Sequence, residues 1–152
     1  MHALAATGGG FLLAVLWFDL MFDVQVRRHD GDSLPSEVLV SISRYYRRVT
    51  TDAAPMNRLV ALAMLVTLAA VAVNLLCDRT SLWIDSACLA LTLSAIGLAA
   101  ARTVRNAVRL GRSDDSPAVQ SQLARGIYRD HVWCFAAMSL HVALQLAVCL
   151  AA

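Results

Sequence analysis

Four runs of apolar residues, each close to the length of a bilayer crossing, constrain this chain more than any other feature. A helix rises about 1.5 Å per residue, so a hydrocarbon core of about 30 Å takes about 20 residues to span. The runs cover 3–25, 55–77, 82–101 and 131–152. A chain of 152 residues, 59% of them hydrophobic, has too little interior to hide such blocks in water, because small domains bury the smaller share of their surface. Charged residues make up 16%, against about 25% in soluble domains. The expected fold class is all-α integral membrane: one domain over 1–152, a four-helix transmembrane bundle with an additional cytoplasmic interfacial helix.

Orientation follows from the arginines, which account for all 13 basic residues. Arg27, Arg28, Arg44, Arg47 and Arg48 lie between the first two runs, with Arg58 just inside the second. Arg102, Arg105, Arg109, Arg112, Arg125 and Arg129 lie between the last two, and the remaining connection holds Arg79 alone. Positive charge stays on the cytoplasmic side. The segments 26–54 and 102–130 are therefore expected as cytoplasmic loops and both termini outside, in a bacterial inner membrane. No basic stretch precedes the first run, so it does not read as a cleaved signal peptide and is expected to be retained. A net charge of +2 gives no footing for nucleic acid.

The loops carry helical patterns of their own. In "SLPSEVLVSISRYYRRV", Ser33 is placed to cap a helix and Pro35 to enter its first turn. Leu34, Val38, Ile42, Tyr45 and Val49 then recur at helical spacing. Beside three arginines, that stripe suits either a helix on the inner leaflet or a cap packed on the bundle. Ser116–Pro117 gives a second start signal, for a helix running into the fourth span and loosened at Gly126.

Asp19 and Asp23 interrupt the first span. An aspartate near a helix centre costs roughly 2.5–3.5 kcal/mol on the insertion scale, and each Leu, Phe or Val returns only about 0.3–0.6. The segment then inserts well only if both carboxylates face the bundle and find partners, and their four-residue spacing puts them on one face. Asn57, Arg58, Arg102 and His131 are expected at the same depth. The simplest expectation is an ion pair of Asp23 with Arg58 or Arg102. More broadly, Asp19, Asp23, Asn57, Arg58, Arg102 and His131 are expected to line a polar cavity on the cytoplasmic side, in a polar network that takes in His141.

The fourth span has a sharper pattern. His131, Cys134, Met138, His141 and Gln145 are spaced 3, 4, 3 and 4 apart, a single stripe where Leu or Ala is usual. Imidazole, thiol and carboxylate are metal ligands, so Asp19, Asp23, His131 and Cys134 form a candidate site for a divalent metal. Asp19, Asp23 and His131 are also the candidate catalytic acid–base groups. His131 and His141 stand about 15 Å apart along the axis, so they cannot share one ion, and haem is disfavoured. For His141 the simplest reading is an interhelical hydrogen bond to Asn74 or Thr92. Asp85, near the outer end of the third run, is expected either to pair with Arg79 or to be hydrated.

The cysteines Cys77, Cys88, Cys134 and Cys149 show no C-x-x-C spacing and read as small apolar residues, though Cys77 and Cys149 fall near one end of the bundle. Gly8, Gly9, Gly10, Ala61, Ala63, Gly97 and Ala101 permit close helix approach. No phosphate loop, H-E-x-x-H or G-x-S-x-G is present.

Four spans with a long arginine-bearing first loop resemble, in layout, several small bacterial membrane families, among them the anthrone-oxygenase-like proteins. No diagnostic motif of that family is matched, so no site residue is carried over. The leading function class is a binding or accessory membrane protein, with membrane lipids, a second copy or a partner subunit as its company. The alternatives are a small membrane enzyme or redox protein built on the Asp/His site, and proton-coupled transport by an oligomer.

Overall fold

The computed structural model describes residues 1–77 and 82–151, and all its regular elements are helical. They are α1 (His2–Asp23), α2 (Ser36–Arg47), α3 (Ala54–Cys77), α4 (Leu82–Leu98), α5 (Val104–Arg112) and α6 (Pro117–Ala151). A 3-10 turn over Val24–Arg28 follows α1, and π-helical turns at Arg48–Asp52 and Ala99–Thr103 lead into α3 and α5. The 78–81 connection, and with it the expected Asp85–Arg79 pair, lies outside the described residues.

Four helical stretches are long and apolar enough to cross a membrane: His2–Arg28, Pro55–Cys77, Leu82–Arg112 and Pro117–Ala151. Only 22–28% of each apolar window is buried, so most of these apolar side chains face outward. In water that surface would far exceed what a soluble monomer exposes.

In the bundle α1 packs on α3 and α6, and α4 packs on the same two helices from the other side. His2, Asn74, Asp85 and Gln145, one from each helix, meet at the end that holds both termini. The interior is made of small and sulfur-bearing residues. Ala5, Ala70, Val71 and Cys88 form a layer near the termini. Leu12, Ala95, Cys134, Ala137 and Met138 form the next. Close approach is enforced at two glycines of α1. A Cβ at Gly8 would collide with the Thr67 side chain, and one at Gly9 would come within 2.8 Å of His141 and Val142. Gly10 and Gly97, expected to serve in the same way, have open space where a Cβ would go.

The segments expected as loops are largely helical. Helix α4 continues through its π turn into α5, and α6 runs 35 residues without a break. Gly126 does not loosen α6; its missing Cβ faces open space, and the helix passes straight through. Ser113, in the left-handed region at φ 59°, ends α5. The α6 start falls at Pro117 as the sequence implies, while α2 begins at Ser36, after Pro35, with no side-chain cap from Ser33.

These extensions build a cap. Leu39, Ile42 and Tyr46 of α2 bury against Ala107 and Leu110 of α5 and Ala124 and Ile127 of α6, closed over by Val26 and Leu34. The buried face of α2 is thus Leu39, Ile42, Ser43 and Tyr46, rotated by about one residue from the stripe expected through Val38 and Tyr45. At Gly111 the α5 backbone meets α2 directly, since a Cβ there would lie 2.8 Å from the Arg47 nitrogen.

Candidate functional site

Where the cap meets the bundle, three helices bring five polar side chains together. Asp19 and Asp23 of α1 sit four residues apart, hence about 6 Å along the axis, and both face inward. His131 of α6 lies between them. Its Nδ1 donates to Asp23 Oδ2 at 2.7 Å, and its Nε2 faces Asp19 Oδ2 at 3.8 Å. The adjacent tyrosines of α2 close the two ends. Tyr46 donates its hydroxyl to Asp23 Oδ1 at 2.6 Å, and Tyr45 donates to Asp19 Oδ1 at 2.7 Å. The order is Tyr45–Asp19–His131–Asp23–Tyr46, with a carboxylate at each imidazole nitrogen and a phenol behind each carboxylate.

The two halves differ in exposure. Asp23 is fully buried and Tyr46 nearly so, whereas Asp19 keeps 16% of its side-chain surface. Phe22 stacks on Tyr45 with ring centroids 4.0 Å apart and roofs the Asp19 half. Burial, and then the two carboxylates, push the Tyr46 phenol well above the usual tyrosine range. Tyr45 is raised by burial and by Asp19. Both therefore act as hydrogen-bond donors.

A second junction adjoins the first. Asp130, the residue before His131, is buried and takes both ends of the Arg102 guanidinium, with Arg102 Nε at 2.9 Å from Oδ2. Thr103 Oγ1 donates to the same oxygen at 3.0 Å. Such a two-pronged grip is the strong form of a charged hydrogen bond. Asp130 and His131 together tie α6 to the α4–α5 turn on one side and to α1 and α2 on the other.

The expected site residues thus separate. Asp19, Asp23 and His131 converge. Arg102 is committed to Asp130 and not to Asp23, because the π turn carries it to the α6 side. Arg58 is exposed on α3, and Asn57, also exposed, donates to the Thr50 carbonyl at 3.0 Å. Neither joins the carboxylates, because α3 starts beyond a second π turn. The acidic pair meets the imidazole of His131, one of its expected partners, and finds phenols where guanidinium was expected.

Further along α6 the stripe is buried throughout, as its spacing implies, but its members do different things. Cys134 Sγ lies 3.6 Å from the Ala95 carbonyl. Among the described residues no three His, Cys, Asp or Glu side chains are disposed to hold a metal ion. His141 sits between Thr92, 3.3 Å from its Nδ1, and the Ala5 carbonyl, 3.3 Å from Nε2. Gln145 meets His2 at 2.8 Å. Cys77 and Cys149 are both free and exposed.

Sequence reasoning missed Tyr45, Tyr46 and Asp130. The available signal was "RYYRR" opposite an acidic pair, which a search for opposite charge passes over because phenols carry none. No known protein family, curated protein or solved structure matches this chain.

Proposed function

We propose that this chain is an integral protein of the bacterial inner membrane, with both termini outside and the helical cap in the cytoplasm. It works there as a binding or accessory protein whose cap is the working surface. The supporting observation is that the acids and base of the site are already bonded to one another. Asp23 uses one oxygen on Tyr46 and the other on His131, and Asp19 binds Tyr45. Groups so engaged, and nearly closed to solvent, clasp the cap to the bundle and present no nucleophile or base to a substrate. The test is thermal unfolding of Asp23→Asn and His131→Gln in detergent, together with limited proteolysis at 29–35. Both variants are expected to melt earlier and to be cut faster than the parent. Wild-type melting and protection in both would remove the clasp and return these residues to chemistry.

One observation favours a second reading. An imidazole with a carboxylate at each nitrogen can pass a proton from one side to the other, and the 3.8 Å gap on the Asp19 side leaves that contact open to rearrangement. This is the arrangement a proton-coupled carrier or a small membrane enzyme would use. Proton entry into vesicles containing the protein, exceeding that of empty vesicles and lost in His131→Gln, would establish it.

A further inference from the structure

The cap carries a groove of about 820 Å³ between α2, the end of α1 and the π turn that follows α2. Its basic wall is Arg44, Arg47 and Arg48, all exposed and without an ion pair among the described residues. Its apolar wall is Val40, with Phe22 stacked on Tyr45. Glu37 and Asp52 also border it, so the arginines exceed the acids by one. The pattern comes from the periodicity of α2. With Leu39, Ile42 and Tyr46 buried, residues 40, 44, 47 and 48 are turned outward. The apolar wall does not end at the groove. Phe18, one turn before Phe22 on α1 and 60% exposed, continues it onto the outward apolar surface of the bundle.

A groove with guanidinium groups at one end and aromatic rings leading down an apolar helix matches an amphiphile with an anionic head. Resting on the membrane reading above, the geometry points to a binding site for one anionic phospholipid, its phosphate held by Arg44 and Arg48 and an acyl chain lying along Phe22 and Phe18. Arginine suits the head because its planar fork takes phosphate oxygens in pairs. Arg44 and Arg48 are about one turn apart and border the same groove, which puts two forks within reach of one phosphate. A second basic groove, of about 480 Å³ beside Arg27 and Arg129, offers less, because its Arg125 is already donated to the His29 and Gly31 carbonyls.

The test uses the full chain in mild detergent with phosphatidylglycerol added, read by native mass spectrometry against phosphatidylcholine. One phosphatidylglycerol should stay bound while phosphatidylcholine is lost. The double variant Arg44→Ala/Arg48→Ala should weaken retention about a hundred-fold, at about ten-fold for the charged hydrogen bond lost with each arginine. The double variant Arg105→Ala/Arg112→Ala removes the same charge from exposed arginines outside the groove and should retain lipid within about three-fold of the parent. Phe18→Ala should weaken phosphatidylglycerol but leave any affinity for inorganic phosphate unchanged. Equal losses in both arginine pairs would mean diffuse attraction and overturn the site. Inorganic phosphate held as tightly as phosphatidylglycerol would overturn a lipid as occupant. A protein that stays monodisperse without detergent would instead overturn the membrane reading, a result separate from either.

Discussion

A hydroxyl group on Tyr46 decides whether a fully buried carboxylate is satisfied. Tyr46→Phe keeps the ring in the cap core and removes one donor, leaving Asp23 with His131 alone. A buried group that loses its partner costs about 1–3 kcal/mol. Tyr45→Phe removes the matching bond from Asp19, where water reaches part of the side chain, and should cost below about 1 kcal/mol. Unfolding midpoints of the two variants in one detergent check the ranking. Alkaline pH probes the same bonds. Burial and neighbouring carboxylates hold both phenols above their ordinary range, so above about pH 10 the folded chain binds more protons than the unfolded one. Stability conferred by these tyrosines is complete below that pH and falls as pH rises toward their folded values. A melting temperature that declines steadily from about pH 10 in the parent, and less steeply in Tyr46→Phe, is the expected result. The acid pair and His131 were legible in the sequence because a charge in an apolar run needs a partner. The phenols behind them were not, because both Tyr45 and Tyr46 are neutral donors, and a search for opposite charge passes over a neutral hydroxyl.

At the level of helices, glycine separates contact from mere permissiveness. Gly111 brings α5 against the α2 backbone, and its replacement by alanine would put a Cβ 2.8 Å from one Arg47 backbone atom and 2.9 Å from another. Backbone cannot yield as a side chain can, so Gly111→Ala should part the two helices and cost about 1–3 kcal/mol. Gly126 sits inside α6 with open space at its Cβ position, and there alanine should stabilise by about 0.5–1 kcal/mol. Opposite shifts of the two melting curves are expected; shifts of one sign would show that cap packing does not depend on that contact. That four long apolar helices would form was readable from the four apolar runs. The helical character of 102–112 was not, since a polar connection between apolar blocks carries no apolar run to mark it. "TVRNAVRLGR" lacks a proline or other stop, so the helix continues until Ser113 turns left-handed.

For the molecule as a whole, the arginine-bearing cap and the paired termini sit at opposite ends of the bundle, and the proposed orientation makes that a prediction about access. Cys77 and Cys149 are exposed at the end of α3 and near the end of α6. In intact spheroplasts a membrane-impermeant maleimide should label both, while Ser33→Cys, on the cap side in a variant lacking those two thiols, should react only after lysis. Labelling of Ser33→Cys from outside would invert the topology. Helix α6 bears on this in a different way. It rises about 52 Å over its 35 residues, well beyond a bilayer's oily interior, and its own two adjacent side chains, Asp130 and His131, grip the elements around the cap base. A rod that is at once a wall of the bundle and a pillar of the cap cannot lean without carrying both. In the proposed membrane setting, thinning of the surrounding lipid that tilts α6 would swing the arginine groove relative to the headgroups, and bilayer thickness would bear on this surface.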